Sequence, residues 1–175
     1  YPDGPPLIRS LSLVIARGQR LAITGGNGTG KSTLLKLLAG QLMPMAGSLS
    51  GPQDLVISTL PQETGSLRGT PRALAGRWGL ETDHFFTLLR KFDFPREAFE
   101  RDAGGFSLGQ QKKLLLAASM ARPAHLYLWD EPLNYIDLES REQIEDMLVD
   151  TQATMVFVEH DRHFVERVAT DTLAL

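Results

Sequence analysis

Gly25-Gly26-Asn27-Gly28-Thr29-Gly30-Lys31-Ser32 decides the fold. It matches the phosphate-binding pattern of Gly, any four residues, then Gly-Lys-Ser/Thr. An apolar run, Leu21-Ala22-Ile23-Thr24, comes before it, and a helix-like run from Thr33 to Ala39 follows. Strand, glycine loop and helix in that order are the context in which the pattern binds phosphate. Four glycines let the backbone curl and turn its N–H groups inward. The helix N-terminus adds partial positive charge. Gly25, Asn27, Gly28, Thr29, Gly30, Lys31, Ser32 and Thr33 are therefore candidate nucleotide-binding residues. Lys31 can reach the β- and γ-phosphates, and the Ser32 hydroxyl can ligate Mg²⁺.

Outward from this loop the chain alternates apolar strands with helices. Strands are expected at 11–15, 20–24, near 48–49, and at 55–60, 126–129, 154–158 and 172–175. Helices are expected to Ala39 and over 112–121, 138–149 and 164–168. Between about Gly65 and Asp102 strand signals vanish. Three short helices, 72–78, 83–91 and 96–100, read as a helical insertion, with Phe85, Phe86, Leu88, Leu89 and Phe92 as its own small core. The pattern implies an α/β fold, a mostly parallel sheet flanked by helices.

The chain has 175 residues, a net charge of −3 and no cysteine. That length suits one domain. The acidic balance argues against a free-standing nucleic-acid clamp. Disulfides and thiolate metal sites are excluded. No apolar run approaches the roughly 20 residues of a membrane span, and no signal peptide opens the chain, so a cytoplasmic location is expected. The chain starts at Tyr1 and ends on Thr172-Leu173-Ala174-Leu175. It reads as a piece of a longer polypeptide.

Asp130 and Glu131 follow the apolar strand Leu126–Trp129. In a parallel sheet that edge binds ligands. Asp130 is positioned to hold Mg²⁺, and Glu131 to orient or deprotonate an attacking water. Ser107 and Gly109 head the helix that follows them, where free N–H groups and a hydroxyl form an anion site.

In order, the glycine loop, Pro61-Gln62, Phe106-Ser107-Leu108-Gly109-Gln110, Asp130-Glu131 and His160 resemble the ATP-binding cassette (ABC) ATPase domain over nearly the whole chain. The resemblance implies a P-loop NTPase fold with an N-terminal antiparallel β portion. It implies one ABC nucleotide-binding domain, with 1–64 and 103–175 as core and 65–102 as helical insertion. Its cofactors would be ATP and Mg²⁺. It implies that Gln62 contacts Mg²⁺ or the attacking water and that His160 hydrogen-bonds the γ-phosphate. Ser107, Gly109 and Gln110 would grip nucleotide held by a second, facing ABC domain. Asp137 would cross that interface, and Tyr1 would stack on adenine. Phe106 and Leu108 depart from the family's Leu-Ser-Gly-Gly-Gln. Leu108 could crowd the phosphate or face away from it.

The runs 106–113, 131–138 and 158–164 resemble the ABC-F subfamily, which lacks membrane domains. Leu133-Asn134-Tyr135-Ile136-Asp137 and the Glu before His160 are similar to the second ABC domain of bacterial antibiotic-resistance members. That implies ribosome contact in the full-length protein. The alternative is the ATP-binding subunit of a membrane transporter, partnered by a permease. A third reading is a nucleotide-gated clamp, disfavoured by the intact Glu131, Gln62 and His160.

Overall fold

A computed structural model of the chain describes residues 7–60 and 67–175. Tyr1, Pro61 and Gln62 lie outside the described residues.

Among the described residues, five strands form one sheet: β1 (Arg20–Thr24), β2 (Ile57–Leu60), β3 (Leu126–Asp130), β4 (Met155–Val158) and β5 (Asp171–Ala174), in the order β2-β3-β4-β1-β5. Every pairing is parallel. The same residues form six α-helices: α1 (Lys31–Leu38), α2 (Pro71–Trp78), α3 (Thr82–Lys91), α4 (Leu108–Ala121), α5 (Leu138–Thr151) and α6 (Arg162–Val168). The short helix expected over 96–100 is a 3-10 helix.

Alternation along the strands builds two apolar layers. Leu21, Ile23, Leu128, Val156 and Val158 face α1 through Leu34 and Leu35. Ala22, Trp129, Met155 and Phe157 face the opposite layer, with residues of α4, α5 and α6. A buried polar contact fixes this second layer. Trp129 Nε1 donates to Ser119 Oγ at 3.0 Å, and the Ser119 and Ser58 hydroxyls meet at 2.8 Å. One side chain from each of β2, β3 and α4 is thereby satisfied without water.

The expected antiparallel portion is not formed among the described residues. Residues 11–15 and 48–49 pair with no strand. The alternation at 11–15 is real, but a strand also needs a hydrogen-bonding neighbour. Instead, Leu13 and Ile15 lean on the α1-side layer, while Val14 is 83% exposed.

The helices between β2 and α4 do not keep a core of their own. Phe85, Phe86, Leu88, Leu89 and Phe92 belong to the same cluster as Leu114, Trp129 and Phe157. The apolar face of α3 packs on α4 because α4 is apolar on more than one side. Leu114, Leu116, Ala117 and Ala121 are all buried. An aromatic ladder continues this packing, with ring centroids 5.0 Å apart for Phe86–Phe99, 5.6 Å for Phe94–Phe99 and 5.5 Å for Phe94–Phe106. Its last rung immediately precedes Ser107. At the neck of this region the Asp102 carboxylate accepts from Gly69 N and Gly104 N, each at 2.7 Å. These backbone N–H groups, Gly104 first, hold the Asp102 carboxyl below the ordinary aspartate range.

A shared core has a measurable consequence. Phe92 is fully buried. Phe92→Ala is expected to lower the unfolding free energy by about 3–5 kcal/mol, as for other buried Phe truncations. Trp78 in α2 and Trp129 in β3 are the two tryptophans. In denaturant both should report one shifted transition. A loss seen by Trp78 alone, with Trp129 unmoved, contradicts the shared core.

Candidate nucleotide site

Parallel pairing sends β1, β3 and β4 to the same sheet edge. Asp130 is in register with Val158, and Ile23 with Val158 on the other side. The glycine loop, Glu131 and Glu159-His160 therefore leave from adjacent positions.

The glycine loop runs from Gly25 into α1, whose N-cap is Gly30 at φ 104°. That left-handed backbone suits glycine. Thr29 Oγ1 donates to Gly26 O at 3.0 Å. The Lys31 ammonium is buried and donates to Gly25 O and Gly26 O at 3.0 and 2.8 Å, at the mouth of the loop. Asn27, Gly28, Gly30, Lys31, Ser32 and Thr33 line a cleft of ≈ 370 Å³. Glu131, Leu7 and Val158 complete its lining.

Glu131 sits at φ 47°, an uncommon conformation for a non-glycine residue. It is over-determined by contacts. Glu131 N donates to Val158 O at 3.0 Å, and Asn134 Nδ2 donates to Glu131 Oε2 at 2.6 Å. The other carboxylate oxygen, Oε1, is 3.8 Å from His160 Nε2. His160 lines a neighbouring cleft of ≈ 510 Å³ with Thr24, Gly25 and Glu159. Asp130 Oδ1 is buried and has no hydrogen-bond partner among the described residues. A buried carboxylate oxygen without a partner, near a helix that opens Lys31-Ser32, fits a hard divalent cation such as Mg²⁺. Among the described residues no cluster of three His, Cys, Asp or Glu could hold a metal alone. Such an ion would need phosphate and water oxygens to complete its shell.

Ser107, Gly109, Gln110 and Asp137 line neither cleft. Ser107 caps α4. Its Oγ accepts from Gln110 N at 3.2 Å, while Gln110 Oε1 accepts from Ser107 N at 3.1 Å. This reciprocal cap starts α4 at Leu108, four residues ahead of the expected Lys112. Leu108 is half exposed at the first position of the helix. A side chain on Gly109 would put its Cβ 2.5 Å from Tyr135 O, so the 131–137 loop packs directly on the head of α4.

The sequence reading missed the braces behind these residues. Glu159 is buried and its carboxylate accepts from Leu133 N, His160 N and Asp161 N at 3.2, 2.7 and 3.3 Å. Arg141 donates to Ile136 O at 3.0 Å and Leu133 O at 3.3 Å, and pairs with Asp161 at 3.1 Å. It ties the loop after β3 to the loop after β4. Lys113 Nζ meets Asp137 Oδ2 at 2.7 Å, while Asp137 Oδ1 caps α5 through Ser140 N at 2.9 Å. Partial burial pushes the Asp137 carboxyl up, but Lys113 and Ser140 outweigh it and bring it to about 2. The pairing of Asn134 with Glu131 was readable only as an i, i+3 spacing.

This geometry meets a family model. The model described as "ABC transporter" matches residues 8–134. The chain belongs to the ABC transporter family. It is 36% identical, over its full length, to the ATP-binding protein YdiF of Bacillus subtilis (strain 168), of which it covers 28%. It is 30% identical to ABC transporter F family member 2 of Arabidopsis thaliana, over 95% of this chain and 25% of that protein. Its curated relatives thus include the F subfamily that the sequence resembled. A crystal structure of the archaeal ribosome recycling factor aABCE1 with the ribosomal stalk protein aP1 is 27% identical, with a TM-score of 0.78 over 91% of this chain and 32% of that one. Overall, the chain spans about a quarter to two-fifths of the length of these relatives. Among the described residues no helix is long and apolar enough to cross a membrane.

Lys113, with Ser140, holds Asp137 low. Lys113→Met should raise the Asp137 pKa from about 2 toward the ordinary aspartate value, followed by carboxyl-carbon NMR. In the unsubstituted protein the depressed pKa means that its stabilisation is present above pH ~4 and is lost as pH falls toward ~2. An unmoved Asp137 titration in Lys113→Met would contradict the ion pair.

Proposed function

We propose that this chain is a single ABC nucleotide-binding domain that hydrolyses ATP with Mg²⁺ and closes its nucleotide against a second ABC domain. Residues 65–102 are its helical insertion. One observation carries the reading. The glycine loop and Glu131 line one cleft, whereas Ser107, Gly109 and Gln110 stand outside it. A domain with half a site in its own cleft and an anion-binding helix end elsewhere is suited to sharing.

In this reading the loop N–H groups and Lys31 hold the β- and γ-phosphates, while Ser32, Asp130 and Gln62 hold the metal. Mg²⁺, when bound, neutralises charge on the phosphates. Glu131 orients a water and accepts its proton as the water oxygen bonds to the γ-phosphorus. The bond from that phosphorus to the bridging oxygen breaks, leaving ADP and phosphate. His160 donates to a γ-phosphate oxygen, and its 3.8 Å separation from Glu131 lets both serve one phosphate. Asn134 fixes the Glu131 rotamer. Tyr1 stacks on adenine. From the partner domain, Ser107, Gly109 and Gln110 would approach the same nucleotide, with Asp137 at the interface.

For the whole protein we propose a cytoplasmic, F-type member acting on the ribosome, in translation or antibiotic resistance. Support comes from the F-family relatives, from the likeness to the archaeal ribosome recycling factor aABCE1, and from the Leu133–Asp137 and Glu159-His160 runs.

Glu131→Gln tests the chemistry. Turnover should fall roughly 10²–10⁴-fold with ATP binding retained, the usual worth of a positioned general base. The same substitution in the full-length protein should then keep it on ribosomes in cosedimentation with ATP. An unchanged rate removes Glu131 from the mechanism. A full-length protein that hydrolyses ATP but never pellets with ribosomes, with or without the substitution, refutes the ribosome reading.

A further inference from the structure

The loop from Glu131 to Asp137 is anchored at two points and exposed between them. Leu133 and Ile136 are buried. Leu133 N donates to Glu159 at 3.2 Å, and Arg141 donates to Leu133 O and Ile136 O at 3.3 and 3.0 Å. Asn134 and Tyr135, between these anchors, are exposed. Asn134 nonetheless turns back on its own loop. Its Nδ2 donates to Glu131 Oε2 at 2.6 Å, and its backbone N donates to Glu131 O at 3.4 Å. An exposed side-chain hydrogen bond competes with water and adds little to stability. Its effect on orientation is larger. The main chain of Glu131 is already fixed, at φ 47° and with its N–H on Val158 O. What remains is rotation of the side chain, and the Asn134 amide restrains it. Among the described residues this is the only hydrogen bond that the Glu131 carboxylate accepts. Oε1 is left open, with His160 Nε2 at 3.8 Å, beyond hydrogen-bond distance. The two oxygens of one carboxylate are thereby made unequal.

We propose that Asn134 is a positioning residue that selects the reacting oxygen of Glu131. The inference rests on reading Glu131 as the general base. Oε2 is occupied by the amide. Oε1 takes the proton of the attacking water as that O–H bond breaks and the water oxygen bonds to the γ-phosphorus. A carboxylate free to turn spends much of its time misaligned, whereas a tethered one presents a single atom in one direction. Asn134 lines neither the nucleotide cleft nor its neighbour, so it acts through Glu131 and not on the nucleotide. Its loss should therefore lower turnover and leave ATP affinity as it was. Aspartate has nearly the shape of asparagine but, when ionised, has no proton to donate. Shape alone should not replace the amide.

The test is a double-mutant cycle on ATP turnover by the full-length protein, with kcat and KM for Mg·ATP measured for each variant. Asn134→Ala should lower kcat about five- to thirtyfold, the scale of one hydrogen bond to a charged group, with KM unchanged. Asn134→Asp should lower it at least as far. Affinity for a non-hydrolysable ATP analogue, expected to be equal in all variants, verifies that each is folded. If Asn134→Ala does not fold, Asn134→Asp carries the same comparison. In Glu131→Gln protein neither Asn134 substitution should lower the residual turnover further, because residues that act through one group are not additive. Unchanged kcat in Asn134→Ala overturns the proposal, as does full activity in Asn134→Asp. An equal loss when either substitution is added to Glu131→Gln also overturns it, and so does a fall in analogue affinity that accounts for the lost turnover. If Glu131→Gln itself leaves turnover intact, the general-base reading has failed. If Glu131→Gln lowers turnover while the Asn134 variants do not, only the selection of one oxygen has failed.

Discussion

Parallel register is the constraint on which the rest of this structure depends. Ile23 and Asp130 both align with Val158, so three strands end side by side, and each delivers a different chemistry to one edge. β1 delivers a phosphate cradle, β3 two carboxylates, and β4 a glutamate and a histidine. In a parallel sheet the chain must return through a helix before each new strand. Loops far apart in sequence are therefore neighbours in space, and a one-residue slip would turn the apolar set of a strand to the wrong layer.

The edge alone would leave these loops loose. What holds them are polar braces, each satisfied by several partners. Glu159 accepts from three backbone N–H groups, and Arg141 spans the loops after β3 and β4. These contacts hold Glu131 and Tyr135 at positive φ, 47° and 68°. Such a cost is tolerated where surrounding structure over-determines the backbone. Helix α4 then joins two regions. Its head carries Ser107 and the aromatic ladder from Phe86 to Phe106, while its next turn buries Lys112 and Lys113 and pairs Lys113 with Asp137.

Much of this was legible in the residues. The glycine loop between an apolar run and a helix placed β1 and α1, and the apolar runs ahead of Asp130 and Glu159 placed β3 and β4. The start of α4 was also written in the chain, because Ser107 and Gln110 have the spacing of a reciprocal cap, but the basic residues after them drew the expected start four residues late. Residues 11–15 alternate as a strand should, yet alternation reports a two-faced segment and not a partner to pair with. The apolar face of α3 was plain, but periodicity says only that a face is buried, not against what. Lys112 and Lys113 were the least legible. Lysine is ordinarily a surface residue, and only tertiary packing shows that both side chains turn inward.

We propose a site whose second half belongs to another domain. That claim is exposed most directly by ATP turnover per domain, measured as protein concentration is raised across a hundredfold range at saturating Mg·ATP. A shared site predicts that specific activity climbs steeply with concentration, because the head of α4 must come from a facing copy. A specific activity that is full and constant from the most dilute sample upward would contradict it.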